Sequence, residues 1–475
     1  MKKESKYVNL GLELIKKVSP EIAEYIKEEY DSQRTHLKMI ASENYCSLAV
    51  QAAMGTLLTD KYAEGYPEHR FYAGCDTIDK IEKLGCETAC RLFGAEHANI
   101  QPHCGADANL QAYWAVLNAK VLTPEFEAIK SETEGIKTYS DLTTEQWEKI
   151  RKACHNQKLL GMDYYSGGHL THGYRQNISA QLFKTYSYGV GEDGLIDYDA
   201  LEKQACKVKP LILLAGFSAY PRAINFRRFR DIADKCGAVL MVDMAHFAGL
   251  IAGKVYKDKD LDPIKWADIV TTTTHKTLRG PRGGMILCKK WLAESVDKGC
   301  PLTMGGPLPH VMAAKTIALI EANSDEFMDY AKQIVRNSQA LAKALMSTGI
   351  ELQTNGTDNH IVLMNVTKFG LTGRQAEQAL RDCGITCNRN ALPNDPNGPW
   401  YTSGIRLGTA ALTTLGMTEG DMTRIGYLIY NILKNCKATG KSKVAIDLSM
   451  QKKAREEVAL LLTKYKLYPE VKIKV

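Results

Sequence analysis

The stretch Asp268-Ile269-Val270-Thr271-Thr272-Thr273-Thr274-His275-Lys276-Thr277-Leu278-Arg279-Gly280-Pro281-Arg282-Gly283-Gly284 decides the fold. Branching at Cβ stiffens a side chain and favours extended backbone, so Ile269 to Thr274 reads as a buried strand. The Gly- and Pro-rich tail behind it reads as a loop. Lys276 therefore falls at a strand end, where open α/β sheets place their ligands. A lysine among uncharged groups loses its proton more readily than one in water, which is the condition for attacking an aldehyde. A solvated lysine is the ordinary reading of such a position. The four threonines, His275 and Arg282 shift it toward a Schiff-base lysine.

A second strand lies upstream, in Ala238-Val239-Leu240-Met241-Val242-Asp243-Met244-Ala245-His246. It is apolar until it ends in a carboxylate. An acid there can keep a pyridine nitrogen protonated, so that the ring draws electrons from a substrate carbon, and an Asp paired with a Lys is what pyridoxal phosphate chemistry needs. The interval of about thirty residues leaves room for one crossover helix between parallel strands. A strand-terminal Asp is as often a cap as a catalytic group; Lys276 one strand further on favours catalysis.

The same alternation extends along the chain. Apolar runs at Ala98 to Gln101, Leu211 to Ala215, Val239 to Asp243, Ile269 to Thr274 and Met285 to Cys288 are separated by helical patterns, which predicts an α/β domain with a mostly parallel sheet covered on both faces. Residues 1–36, rich in Lys and Glu, read as an amphipathic helical arm. Residues 37–320 would form the large cofactor domain and 321–475 a smaller α+β domain, with a helix from Val311 to Ala322 and a strand from Ile361 to Val366.

With 475 residues, 45% hydrophobic and 24% charged, the chain is long enough for two domains with a large core. Its net charge of +7 is spread out rather than clustered, which argues against a nucleic-acid groove. Thirteen cysteines are an odd number without repeating spacing, so a reduced, cytoplasmic chain is expected. Cys86 and Cys90, like Cys383 and Cys387, lack the second pair of a zinc knuckle and read as packing residues. His169 and His172 have no third ligand at matching spacing, so no metal site is expected. The N-terminus has no apolar signal core, and no stretch is long enough to span a membrane. The Asn-x-Ser/Thr matches at Asn177, Asn355 and Asn365 read as chance occurrences.

Six runs, in order and covering nearly the whole chain, closely resemble the serine hydroxymethyltransferase family. They are Met39 to Asn44, Thr59 to Pro67, Gly167 to Gly173, Gly216 to Tyr220, the lysine segment, and Thr402 to Thr409. The resemblance implies an aspartate aminotransferase-like large domain of fold type I. It also implies reversible transfer of serine's hydroxymethyl carbon to tetrahydrofolate, giving glycine and 5,10-methylenetetrahydrofolate. The alternative is an amino-acid racemase or threonine-aldolase-type activity without productive folate use.

By resemblance, pyridoxal 5'-phosphate would be covalent to Lys276, with His275 and Thr273 flanking that lysine. Asp243 would pair with the pyridine nitrogen, His169 would stack on the ring, His246 would lie near its O3′, and Ser218 would lie on the phosphate side. Gly105 and Ala106 belong to the phosphate turn. Arg406 would anchor the substrate carboxylate, since a guanidinium meets a carboxylate with two parallel hydrogen bonds; Ser42 and Arg282 complete the substrate side. Glu64 is the implied proton-transfer carboxylate, beside Tyr62 and Tyr72. Tyr62, Glu64, Gly305 and Gly306 would reach across a homodimer interface, with a tetramer also possible, and the helical arm would embrace the partner. Asn390, Gly168, Leu170 and Tyr164 would line the folate pocket.

Three departures from the family pattern stand out. Residues 119–155 carry an extra Glu-, Lys- and Thr-rich stretch, expected to be a surface excursion of one or two helical turns, with Phe126 and Trp147 docking it or, less favoured, forming a partner site. Tyr164-Tyr165-Ser166 stands where the family has Leu-Ala-His, which predicts altered folate affinity. Cys104-Gly105-Ala106-Asp107 replaces Ser-Gly-Ser-Gln, which predicts a weaker hold on the cofactor phosphate.

Overall fold

A computed structural model describes residues 3–473. The chain divides into two units: residues 44–333, and the residues up to Glu43 together with those from Ile334 onward.

The larger unit is built on a seven-stranded sheet. Its strands are His97–Asn99 (β1), Lys158–Met162 (β2), Lys184–Tyr188 (β3), Ile212–Gly216 (β4), Val239–Asp243 (β5), Ile269–Thr273 (β6) and Gly284–Cys288 (β7), in the spatial order β1-β7-β6-β5-β4-β2-β3. Strands β2 to β6 pair in parallel, while β7 runs against both β6 and β1. The reversal follows from the short Gly/Pro loop after Lys276, which turns the chain back without the helix that a parallel return requires. Register sets Asp243 level with Gly216 on one side and Thr271 on the other. One face of the sheet is covered by the helix Gly105–Leu117, whose Ala108, Ala112 and Val116 pack with Ile212, Met241, Ile269 and Ile286.

Two strands had no signal in the sequence. Lys158–Met162 is built from Leu, Gly and Met rather than β-branched residues, and Lys184–Tyr188 is an edge strand that is largely exposed.

The 119–155 segment is more ordered than one or two helical turns. It holds two helices, Thr123–Glu132 and Thr144–His155, around a small core of Phe126, Ile129, Ile136 and Ile150. Phe126 is the docking residue. Trp147 stays 39% exposed, edge-on to Tyr139.

In the other unit, Ile361–Asn365 (β8), Asn388–Asn390 (β9) and Gly404–Gly408 (β10) form an antiparallel sheet with β10 in the middle. The N-terminal segment belongs to this unit and is two helices rather than one arm, Lys3–Val18 and Pro20–Thr35. Pro20 cannot continue a helix but can begin one, and Ser19 caps the new start by accepting from the Ile22 amide. The segment is tied to the C-terminal stretch: Ser5 Oγ donates to Glu470 O at 2.9 Å, Asn9 Nδ2 to Lys472 O at 2.8 Å and Tyr30 OH to Val471 O at 3.0 Å.

The boundary also falls later than residue 320, within the helix Asp325–Ser347. Residues 321–333 stay with the larger unit because Arg279 lies 4.9 Å over the Tyr330 ring and Ala331 packs on Gly253.

Candidate active site

In the larger unit, the chemistry collects where the parallel strands end. β5 ends at Asp243, β6 leads through Thr273 to Lys276, β4 leads to Ser218, β2 leads to Gly168 and His169, and β1 leads to the turn before Gly105.

Asp243 is buried, and burial alone would raise its pKa. Hydrogen bonding from His172, the charges of His172 and His169, and the Asn109 amide outweigh this and hold the carboxyl well below the usual carboxylate range. Oδ2 accepts from Asn109 Nδ2 at 2.9 Å and pairs with His172 Nε2 at 3.1 Å, while Oδ1 accepts from the Ala245 amide at 3.0 Å. Asn109 is itself fixed, donating to Thr171 Oγ1 at 2.7 Å and accepting from Thr271 Oγ1 at 2.5 Å. The result is an ionised carboxylate at a strand end, oriented on several sides.

The third member that spacing could not supply to His169 and His172 is Asp243, since ligand atoms of the three lie within 4.8 Å of one another. Their hydrogen bonds are directed inward: His172 to Asp243, and His169 Nδ1 to Thr171 Oγ1 at 2.7 Å. The trio is organised as a support for the carboxylate.

Lys276 Nζ donates to Thr273 Oγ1 at 3.1 Å, and Thr273 Oγ1 donates on to Ala245 O at 3.3 Å. The neighbouring His275 is pushed down to about 3 by burial, with the charges of Lys276 and Arg282 adding to the effect, so its imidazole is neutral at physiological pH. Asn44 Nδ2 donates to Lys276 O at 2.9 Å and to Tyr330 OH at 2.7 Å, fixing the backbone of the lysine. His246 is buried, and its carbonyl accepts from Thr277 Oγ1 at 2.8 Å. The Ser218 amide donates to Gly167 O at 2.7 Å, which joins the β4 end to the Gly167–His169 loop.

The helix Gly105–Leu117 opens in the same cluster. Cys104, at its N-cap, offers no side-chain cap, so the first-turn amides are left for an anion. Position 105 must be glycine, because a Cβ there would meet Thr273 Cγ2 at 2.6 Å. Ala106 is exposed and Asp107 lies in the first turn.

Glu64 lies on a clamped loop. Arg70 Nη1 donates to the carbonyls on both sides of it, Ala63 O and Gly65 O, each at 2.9 Å, and Gln101 Nε2 donates to Gly65 O at 2.8 Å. Arg70 is fixed in turn by Asp79 at 2.9 Å and by the buried Glu82. Tyr62 and Tyr72 meet edge to face at 5.0 Å, both about half exposed, and the Glu64 carboxylate raises the Tyr62 phenol. Gly306 lies beside Tyr62, and its carbonyl is 3.3 Å from His103 Nε2; Gly305 O accepts from Cys300 Sγ. Tyr164 packs among Tyr165 and Tyr174 with ring centroids 5.6 and 5.7 Å away, close to Gly168 and the exposed Leu170 in sequence.

Described by itself, the smaller unit brings Arg406 and Asn390 onto one sheet. Arg406, on the central strand β10, is paired with Leu363 and Asn388, and its Nε donates to Asn388 Oδ1 at 3.0 Å. Asn390 Nδ2 donates to Ala391 O at 2.7 Å. Ser42 lies in this unit and Arg282 in the larger one.

The residues that sequence reasoning missed are supports. Asn109 was findable as the residue one helical turn beyond Gly105, and Arg70 as the cation in the run after Pro67. Thr171 and Gln101 lie in runs already singled out, but nothing local marks their role as supports, and Glu82 carries no local signal.

The family model described as serine hydroxymethyltransferase matches residues 15–126 and 148–429, with 127–147 unmatched between them. The serine hydroxymethyltransferase of Treponema pallidum is 56% identical over 469 residues, covering 97% of this chain and 81% of that protein. Those of Cutibacterium acnes and Salinispora tropica are each 51% identical, covering 96% and 98% of this chain and 94% and 98% of their own lengths. With the strand-end Lys and Asp in place and the match extending over most of its length, the chain belongs to the serine hydroxymethyltransferase family, enzymes that move the hydroxymethyl group of serine to tetrahydrofolate.

Proposed function

We propose a division of labour among this chain's residues for the hydroxymethyl transfer, and the observation that carries it is the caged, ionised Asp243 one strand away from Lys276. Pyridoxal phosphate supplies an electron-withdrawing ring when bound. The residues fit that group: a buried anion for a ring nitrogen, an amine for its aldehyde, and an uncapped helix start for its phosphate. Lys276 is the amine that holds the cofactor covalently, and Thr273 orients it. His169 would cover a ring face, with His246 at the oxygen side and Ser218 on the phosphate side. His275, being neutral, adds no positive charge beside the lysine. Arg406 anchors the α-carboxylate with Ser42 and Arg282 assisting, and Asn388 sets the guanidinium plane. Asn390, Gly168, Leu170 and Tyr164 form the folate contacts.

Glu64 holds and moves the proton of the hydroxymethyl oxygen, on a loop whose two flanking carbonyls are fixed by Arg70. Tyr62, Glu64, Gly305 and Gly306 serve the partner's site in a homodimer, consistent with the half-exposed rings of Tyr62 and Tyr72. Among the described residues no helix is long and apolar enough to cross a membrane, and we place the enzyme in the cytoplasm.

Folate-dependent release of glycine from serine, measured beside alanine racemisation and threonine cleavage, tests the reading. Folate-independent racemisation as the dominant activity would overturn it. Glu64→Gln is expected to leave cofactor and glycine binding intact while folate-dependent cleavage of serine falls on the order of a hundredfold or more. Equal loss of cofactor would make Glu64 structural.

The phosphate turn yields a second expectation. Ala106 has no hydroxyl, and Asp107 adds a negative charge near a dianion. Ala106→Ser and Asp107→Gln, singly and together, should therefore tighten cofactor binding by roughly one charged hydrogen bond, about 1.5–3 kcal/mol. Equilibrium dissociation constants decide it; no tightening in either variant means that other groups satisfy the phosphate.

A further inference from the structure

The helix Pro309–Ala322 is buried along most of its length, yet Lys315 sits in its middle, 1% exposed. A buried ammonium is tolerated only when its protons are satisfied. Lys315 Nζ donates to Ile100 O at 2.7 Å, Pro102 O at 2.8 Å and Gly284 O at 2.9 Å. Burial pushes the Lys315 amine down to about 7, while the three carbonyls around Nζ favour the ammonium, whose three protons can meet all of them where a neutral amine's two cannot. Gly283 makes room for the side chain, since a Cβ there would lie 2.3 Å from Lys315 Cε.

The three carbonyls belong to one structural corner. Ile100 and Pro102 lie on the segment that leads from β1 into the helix Gly105–Leu117, and Gly284 begins β7. The Gly284 amide donates back to Pro102 O at 2.9 Å, and a Cβ on Gly284 would lie 2.2 Å from Cys104 O. The turn is therefore wedged against β7 on one side and pinned by Lys315 from below, just before the helix start whose amides are free for an anion.

We propose that Lys315 is a positioning residue for the cofactor phosphate: by tying Ile100, Pro102 and Gly284 together it fixes the turn that aims the first-turn amides of Gly105–Leu117. This rests on the reading that the phosphate binds at that helix start. Lys315 touches neither cofactor nor substrate, and its action passes through the backbone.

The test compares two ligands in the full-length protein stripped of cofactor: pyridoxal 5'-phosphate, and pyridoxal, which has the same aldehyde and ring without the phosphate. Lys315→Met removes the donors while keeping an unbranched side chain, and Lys315→Gln, which retains an amide donor, serves if the first variant does not fold. The expected result is a loss of roughly tenfold to a hundredfold in affinity for pyridoxal 5'-phosphate, with pyridoxal affinity changed less than about twofold and the glutamine variant in between. Equal weakening of both ligands would mark a defect in core packing alone and would overturn the proposal. So would an unchanged preference for the phosphorylated ligand. If the wild-type protein itself shows no such preference, the phosphate reading fails first, which distinguishes the two failures.

Discussion

Replacing Lys276 by alanine is expected to abolish both the visible absorbance of lysine-bound cofactor and folate-dependent turnover of serine, a loss of roughly a millionfold or more. Lys276 presents its amine beside Thr273, at the end of β6, on the strand next to Asp243. The buried lysine of this unit, Lys315, has its amine committed to three backbone carbonyls and cannot substitute. An absorbance spectrum of the variant with added cofactor, followed by glycine release from serine, checks the result. Full turnover in the variant would remove Lys276 from its role.

Asp243→Asn should be nearly as severe while leaving the fold intact. The amide is the same size as the carboxylate, but it carries no charge and sets an NH2 group among the donors of Asn109, His172 and the Ala245 amide. A unit charge about 4 Å from its partner, at an effective dielectric constant of about 20, is worth about 4 kcal/mol. Lost from the rate-limiting barrier, a charge interaction of that size slows turnover about a thousandfold. Asn109 and His172 would then point at a group that no longer needs two donors, so Asn109→Ala added to Asp243→Asn should cost much less than Asn109→Ala alone. The measurement is kcat at saturating cofactor in the single and double variants; additive losses would show that Asn109 acts independently of the carboxylate.

How much of this was legible depended on whether a residue's role is local. Lys276 and Asp243 end strands whose β-branched and apolar runs announce themselves, so their placement followed from the chain alone. Lys158–Met162 escaped because its Leu, Gly and Met serve a strand only when neighbours on both sides supply the ladder. Ser19-Pro20 did carry a local signal, a cap followed by a helix-starting proline, and it breaks the presumed arm into two helices. Lys315 was invisible for the opposite reason. Within Met312 to Ala318 it looks like a solvent-facing interruption, and only the tertiary fold turns it inward. The third partner of His169 and His172 also had to come from another strand, which no spacing rule reaches.

The reversal of β7 has a consequence for how the molecule is made. β1 has β7 as its hydrogen-bonded neighbour in the sheet, through the pairs His97 with Cys288 and Asn99 with Ile286. A chain emerging from the ribosome must therefore carry β1 without its strand partner until most of the larger unit has been synthesised. Pairings this distant in sequence are slow to form, because loop-closure entropy is lost before any contact repays it. The corner where β1, β7 and Lys315 meet should thus be among the last parts of the unit to consolidate during refolding, and cofactor capture should lag behind the formation of the parallel strands.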